Sequence, residues 1–342
     1  MDVIVPTDRG LYCPAGDFWI DPWRDVDRAV VTHGHADHAR PVAPRVIAAK
    51  DGLPVLARRL PGASLHGLAW GEALTIGAAR VSLHPSGHVL GAAQVRVEVG
   101  GAVWVVSGDY KLAPDPTCAP FEPLRCDVFV TEATFGLPIF RWGPERDAID
   151  EVRAWWAACR REGRTPVLFA YALGKAQRVL RLLEGEGPFV IHGAVASMNA
   201  AYREAGVALP EAVVASEVKR APEGALVVAP PGAQPTPWMR RFAPASLAFA
   251  SGAMRVRGMR RRRSLDRGFV LSDHADWPGL LAAIDATGAP RVLVTHGNAR
   301  ALARWLREQR GLDATAIETA FSGEGGAEQE DAAPGAAIGT DA

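Results

Sequence analysis

Residues 31 to 38 read Val-Thr-His-Gly-His-Ala-Asp-His and place His33, His35, Asp37 and His38 in one short stretch. Imidazole nitrogen and carboxylate oxygen are the donors that suit Zn²⁺ and its first-row neighbours. The preceding run, Arg28-Ala-Val-Val-Thr, reads as a short buried strand that stops at the first histidine. A loop at a strand's end lets neighbouring side chains converge on a point where a helix would splay them. His33 and His35 can face one ion while Asp37 and His38 turn toward a second. Clustered His and Asp indicate metal chemistry more strongly than a polar surface loop.

The octapeptide is the signature of the metallo-β-lactamase fold, and the chain resembles that superfamily. The resemblance implies three further ligands at strand ends: another His, a bridging Asp and a last His. His88 in Ser86-Gly-His-Val-Leu-Gly, Asp109 in Val105-Val-Ser-Gly-Asp-Tyr and His296 in Val292-Leu-Val-Thr-His-Gly match them. By the same resemblance His33, His35, His88 and Asp109 hold one ion, and Asp37, His38, Asp109 and His296 hold the other. Asp21, in Phe18-Trp-Ile-Asp-Pro, matches the family's early aspartate and is expected to fix ligand geometry by hydrogen bonds. Zn²⁺ is the ion the imidazoles favour, and Mn²⁺ can occupy the same donor set. His84 lies close before His88, but Pro85 and the Gly-His-Val-Leu-Gly wording single out His88. His66 and His192 have no partner motif and read as structural or surface residues.

The elements that must carry these residues change character along the chain. The first part reads as β-rich: Gln94-Val-Arg-Val-Glu-Val alternates, Gly100-Gly101 turns it into Val103-Trp-Val-Val-Ser, and Asp127-Val-Phe-Val-Thr-Glu delivers Glu132. Residues 144 to 163 are helical in pattern, with Ile149, Val152, Trp155 and Trp156 on one face and Gly163 as a stop. Strands near Pro166, Phe189, Ala225 and Ser246 then alternate with helices at 174 to 184 and 194 to 205, which predicts a parallel sheet with covering helices. From Phe269 the pattern returns to the metal motifs, with a helix from Trp277 and a last one from Asn298 toward Gly311.

The 342 residues suffice for one large or two medium domains, and 48% hydrophobic content supports a full core. No run approaches ~18 consecutive apolar residues, so no membrane span is expected. The start lacks a basic segment followed by an apolar stretch, so no secretory signal is expected. Cys13, Cys118, Cys126 and Cys159 show no CxxC spacing and read as buried thiols, which makes the cytoplasm the expected location. The formal net charge of zero argues against a generally basic nucleic-acid binder. Yet Arg255, Arg257, Arg260, Arg261, Arg262, Arg263 and Arg267 crowd one stretch, and residues 323 to 342 read as an acidic disordered tail.

An α/β insert between Asp109 and His296 resembles the β-CASP group of nucleases. Glu132 in Thr131-Glu-Ala-Thr-Phe-Gly fits its acidic motif A, His274 in Leu271-Ser-Asp-His-Ala-Asp fits motif B, and His296 fits motif C. A His at motif C is shared with RNA-processing and bacterial branches. In length and motif wording the chain most resembles the bacterial ligase-associated DNA exonucleases. The implied fold class is α/β: a metallo-β-lactamase αββα sandwich in residues 1–140 and 265–322, with a β-CASP insert at 141–264.

That resemblance implies a catalytic set of Asp37, Glu132 and His274. Two divalent ions would activate water for in-line attack on phosphorus and offset phosphoryl charge. His274 would protonate the leaving oxygen, with Glu132 holding its ring. Asp273 and Asp276 read as caps of the next helix. Gly174 and Lys175 open a helix after a strand, and Ser251-Gly252 forms a second strand-end loop. With Arg255 and Arg257 they are expected to receive a 5′-phosphate or adjacent backbone, ordinary turns being the alternative. Trp142, Trp155, Trp156 and Trp238 are candidates for base stacking, although their spacing places most of them in the core.

The leading reading is a 5′-to-3′ exonuclease on single-stranded DNA, at work in repair beside an ATP-dependent DNA ligase and a helicase. The alternatives are an RNA endo- or exonuclease of the same group, a small-molecule metallohydrolase, and a non-catalytic scaffold.

Overall fold

The computed structural model describes residues 2–256, 258 and 263–320. Arg257, Arg260, Arg261 and Arg262 of the arginine run, and the tail at 323–342, lie outside the described residues.

Three sheets organise the described chain. The first takes its six strands in chain order: Val5–Pro6, Leu11–Cys13, Phe18–Ile20, Arg28–Val30, Arg45–Ala49 and Ser64–Leu68. The second has seven, in the spatial order Asp313–Ala316, Arg291–Thr295, Val128–Glu132, Ala102–Val106, Ala93–Val99, Ala79–Pro85 and Ala73–Ile76. Alternation decides which faces meet. Val81 and Leu83, Val95 and Val97, Trp104 and Val106 point one way along their strands, into a core shared with Phe18, Ile20, Val30 and Ile47 of the first sheet. The opposite faces are apolar too. Ala29, Val31, Val46 and Ala48 receive Leu56 from the helix Leu53–Arg59 and Leu60 from just past its end. Val105, Phe129, Val292 and Val294 receive Leu280 and Ile284 from Trp277–Thr287, and Leu302 and Leu306 from Ala299–Arg310. Strands buried on both faces read as unbroken apolar runs, which is why 128–130 and 292–294 show no polar position.

The third sheet is parallel throughout, in the order Val213–Val214, Phe189–Ile191, Leu226–Ala229, Thr165–Phe169, Ala245–Ala250, Arg267–Phe269. The helices Glu145–Arg161, Lys175–Leu182 and Gly193–Glu204 cover one face, where Ile149, Val152, Trp155 and Trp156 form the stripe expected from sequence. The result is the expected αββα sandwich with an inserted α/β layer. One boundary differs: Arg267–Phe269, expected beyond the insert's end at 264, pairs with Ala245–Ala250 and completes the third sheet. Trp155 and Trp156 are buried in the insert's core, so they do not present rings to a base. Cys13 and Cys159 are buried, Cys118 and Cys126 half-buried, and all four are free thiols. Among the described residues no helix is long and apolar enough to cross a membrane.

Sheet direction positions the chemistry. Ala102–Val106, Val128–Glu132 and Arg291–Thr295 are adjacent and parallel, so their carboxyl ends open on the same edge. Asp109, Glu132 and His296 sit at or just past those three ends.

Candidate active site

His33, His35, His88 and Asp109 bring one donor atom each within 4.8 Å of one another, and so do the sets His38–Asp109–His296 and Asp109–Glu132–His274. Asp109 belongs to all three. In the first set, His35 Nδ1 lies 3.1 Å from His33 Nε2 and 3.0 Å from His88 Nε2. Asp109 Oδ2 stands 3.5 Å from His33 Nε2 and 3.8 Å from His88 Nε2. In the second, His38 Nε2 is 3.3 Å from His296 Nε2 and 3.6 Å from Asp109 Oδ2. Asp37, expected as a ligand here, is buried beside this set with Oδ2 3.9 Å from His38 Nε2, but outside its tightest grouping.

The outer ring nitrogens explain why the inner ones converge. His38 Nδ1 meets Asp21 Oδ2 at 2.7 Å, and His33 Nδ1 meets Thr32 Oγ1 at 3.0 Å. The Thr32 hydroxyl in turn donates to Asp21 Oδ2. Asp21 thus orients two rings, one directly and one through Thr32, the place expected of it. His88 Nδ1 faces the Asp273 carbonyl oxygen at 2.8 Å and His296 Nδ1 faces Thr295 Oγ1 at 2.5 Å. His35 is reversed: its Nε2 faces the Leu173 carbonyl at 3.2 Å and its Nδ1 points inward. A proton held on the outer nitrogen leaves a lone pair on the inner one, the arrangement a metal-binding imidazole needs. Backbone shape contributes at His296, which adopts φ 59° and is followed by Gly297 at φ 41°. A Cβ at 297 would stand 2.5 Å from the Ala133 carbonyl oxygen, so only glycine permits this turn.

The electrostatics are those of carboxylates sealed from water. Burial, reinforced by Glu132, pushes the Asp109 carboxyl up to about 7. Burial opposes charge on His38, but Asp109, Asp37 and Asp21 together raise it to about 10. Burial and neighbouring imidazoles hold His33 and His88 well below the ordinary histidine value, and bring His296 down to about 3. Asp109 Oδ1 is buried with no hydrogen-bond partner among the described residues. An orphaned carboxylate oxygen ringed by inward imidazole nitrogens fits a divalent cation in donor type and in charge. Such a cation would replace the proton that His38 otherwise carries.

Glu132 and His274 stand on the rim. His274 Nδ1 lies 3.1 and 3.0 Å from the two Glu132 oxygens, the expected pairing, and 4.0 Å from Asp109 Oδ2. Burial works to raise the Glu132 carboxyl, yet His274, Thr134 and the Tyr110 amide leave it below its usual value. Phe135 edges onto the His274 ring at 6.0 Å, and Gly252 packs so closely on Phe135 that a Cβ would stand 2.5 Å from it. A cavity of ≈ 90 Å³ beside His274 is lined by Trp142, Lys111 and Asp276 among others.

Several expectations for neighbouring residues change. Lys175, expected to offer its charge to a phosphate, is fully buried, with Nζ 3.6 Å from Asp273 and 4.4 Å from the Tyr171 ring centroid. A group so enclosed is not presented to a ligand from solvent. Gly174 is buried with it, and its amide donates to Gln177 Oε1 at 2.7 Å. Ser251 is buried and accepts from the Ala253 amide, capping the short turn Gly252–Arg255, while Arg255 is exposed. Asp276 caps the helix Trp277–Thr287 as expected; Asp273 does not, and faces Lys175 and Arg178 instead. His84 pairs with Glu122, away from the cluster, His192 caps the helix Gly193–Glu204, and His66 is exposed. Trp238 packs edge-on against His192 and Phe242, while half-buried Trp142 remains near His274. The outer partners Thr32, Leu173, Asp273 and Thr295 were not found from sequence. Arg178 had a readable signal: with Lys175 it puts two cations three residues apart on a helix otherwise rich in buried apolar residues.

No family model matches the chain. It is 31% identical over 321 residues to a protein named "Probable DNA ligase" from Opitutus terrae, an alignment covering 92% of this chain and 31% of that protein. It is 34% identical over 114 residues to "Endoribonuclease ysh1" from Emericella nidulans, covering 32% of this chain and 13% of the relative. The chain thus spans about a third or less of the length of these curated relatives. Among solved structures, a protein of unknown function from Enterococcus faecalis aligns with a TM-score of 0.53 at 13% identity, covering 78% of this chain and 74% of its own, and so shares the fold.

Proposed function

The chain belongs to the β-CASP group of the metallo-β-lactamase superfamily, and on that premise we propose that it is a metal-dependent phosphodiesterase acting on DNA. The observation that carries this reading is the convergence of five imidazoles on one orphaned buried carboxylate, with the Glu132–His274 pair on its rim. His33, His35, His88 and Asp109 would hold one divalent ion, and His38, Asp109, His296 and Asp37 the other, Zn²⁺ or Mn²⁺. Bound there, the ions would lower the pKa of water and offset charge on phosphoryl oxygens.

The chain's own residues do the rest. Asp21, Thr32 and Thr295 hold ring orientation. Glu132 anchors His274 through Nδ1, which leaves Nε2 as the nitrogen to donate a proton to the leaving sugar oxygen. Trp142, beside His274, offers a ring to a leaving base. Arg255, with Arg257 and the rest of the arginine run, attracts the phosphate backbone.

DNA is favoured as the polymer because the alignment to a protein named as a DNA ligase covers nearly the whole chain. That likeness also supports work beside a DNA ligase, while the ATP dependence of that ligase, a helicase partner and a role in repair rest on the family resemblance, and a cytoplasmic location rests on the free thiols. The RNA alternative draws on likeness to an endoribonuclease over about a third of the chain. The test uses matched 5′- and 3′-labelled substrates: linear single-stranded DNA with and without a 5′-phosphate, circular single-stranded DNA, and RNA. Each is run with Zn²⁺, Mn²⁺ or EDTA. Metal-dependent loss of the linear DNA from its 5′ end, with the circle untouched, is expected. His274→Ala should lower kcat by about 10³-fold with metal content unchanged. Preference for RNA or cutting of the circle would move the protein to the alternative, and no cleavage of any substrate would discard the nuclease reading.

A further inference from the structure

Beneath the first group of donors lies a cluster of charges that no step above uses. Lys111, Asp115, Lys175, Arg178 and Asp273 all have side chains 4% exposed or less. Asp273 lies 3.6 Å from Lys175 Nζ and 3.2 Å from Arg178 Nη1. Arg178 also reaches Asp115 at 3.5 Å, pairs with Glu145, and donates to the Ser272 carbonyl at 2.6 Å. Lys111 Nζ adds a further pair with Asp115 at 3.3 Å. Burial works against the charge on Asp273, yet Lys175, Arg178 and Lys111 hold its carboxyl below the usual range.

A buried ion cluster is a poor source of stability, because well-packed apolar groups in its place are often as good or better. Nor does docking of the insert need it. Leu173, Met198, Ala201, Tyr202 and Leu209 of the insert already form an apolar contact with Val55 and Leu90 of the sandwich. What distinguishes the charges is where they attach. Asp273 carries the carbonyl that holds His88 at 2.8 Å. Leu173, two residues before Lys175, carries the carbonyl that holds His35 at 3.2 Å. The turn between them is stitched from within: Gln177 accepts from the Gly174 amide and donates to the Ala172 carbonyl and to Asn199.

We propose that Lys175, Arg178 and Asp273 are positioning residues, through which the inserted layer sets the orientation of His35 and His88 and so completes the first metal pocket. This rests on the reading of those histidines as metal ligands. The insert is then part of the metal centre as well as a surface for substrate.

The test is Co²⁺ titration into the metal-free full chain, read by visible absorption and calorimetry, beside thermal unfolding of the metal-free proteins. Asp273→Asn and Arg178→Met should weaken one of two binding events by about 10–100-fold, change its absorption band and leave the other in place. Arg178→Lys should restore part of the loss. Gly174→Ala leaves every charge intact, but Gly174 has φ +87° and a Cβ there would stand 2.2 Å from Val89 Cγ1. It should weaken the same event by moving the Leu173 carbonyl. Unchanged affinities, or both events weakened equally, would overturn the proposal even if thermal stability fell. If the unmodified protein binds no metal, this proposal and the nuclease reading fall together. Metal binding without cleavage of any polymer removes only the nuclease reading.

Discussion

His38 and His296 are tethered from within the sandwich, by Asp21 and by Thr295, whereas His35 and His88 are tethered by carbonyls of Leu173 and Asp273. One half of the site is therefore held by the layers that form its floor. The other is held by segments whose placement depends on the insert. Similar donor chemistry is maintained by two mechanical arrangements, linked at His33, which Asp21 reaches through Thr32.

Asp109 is the common member and gives the largest expected effect. Asp109→Ala should empty both pockets and lower cleavage by on the order of 10⁴-fold, seen as loss of metal by elemental analysis and of turnover together. Retention of one ion would break the symmetry assigned to this residue. Asp21→Asn comes next. It should cost about 10–100-fold in affinity, chiefly at the pocket of His38, the mirror of the effect expected for Asp273→Asn. Weakening of the other pocket instead would reverse the assignment.

A smaller effect follows from charge. The Asp273 carboxyl lies below its ordinary value of 3.8 in the folded protein. The unfolded chain therefore takes up a proton there first as the solution is acidified. The contribution to stability is complete above the ordinary value and is lost as pH falls through the folded one. The difference in Tm between metal-free wild type and Asp273→Asn should accordingly be flat near neutrality and shrink below about pH 4. A difference that grows in acid would contradict the pairing with Lys175 and Arg178. Smallest is Asp276→Ala, which removes the 2.9 Å bond from the Gly279 amide and should cost about 1 kcal/mol in chemical denaturation. Both metal affinities should be untouched.

The contrast also explains what could be read from sequence. Donors on short loops after apolar strands were legible because motif and strand end are local: His33, His35 and His38 stood in one octapeptide, the family resemblance pointed to His88, Asp109 and His296, and their donor atoms lie together. The helix stripe from Ile149 to Trp156 was legible for the same reason. Lys175 was misjudged because its neighbours in sequence describe a helix start, while its burial is set by Asp273, far along the chain. Asp273 was misjudged for the reciprocal reason. Strands such as Val5–Pro6 and Leu11–Cys13 are too short to show a period and exist only through their neighbours in the sheet.

The separation of the partners along the chain has a consequence for how the protein comes to exist. His38 and His296 are 258 positions apart, His88 and Asp273 are 185 apart, and His35 and Leu173 are 138 apart. At synthesis rates of ~5–20 residues per second, the first histidines leave the ribosome on the order of ten seconds or more before the last. Until Asp273 emerges the first pocket lacks a tether, and until His296 emerges the second lacks a donor. On the proposed reading, capture of the ions is thus a late event in the life of a nascent chain, and slow closure of these long loops sets the earliest moment at which the centre can be charged.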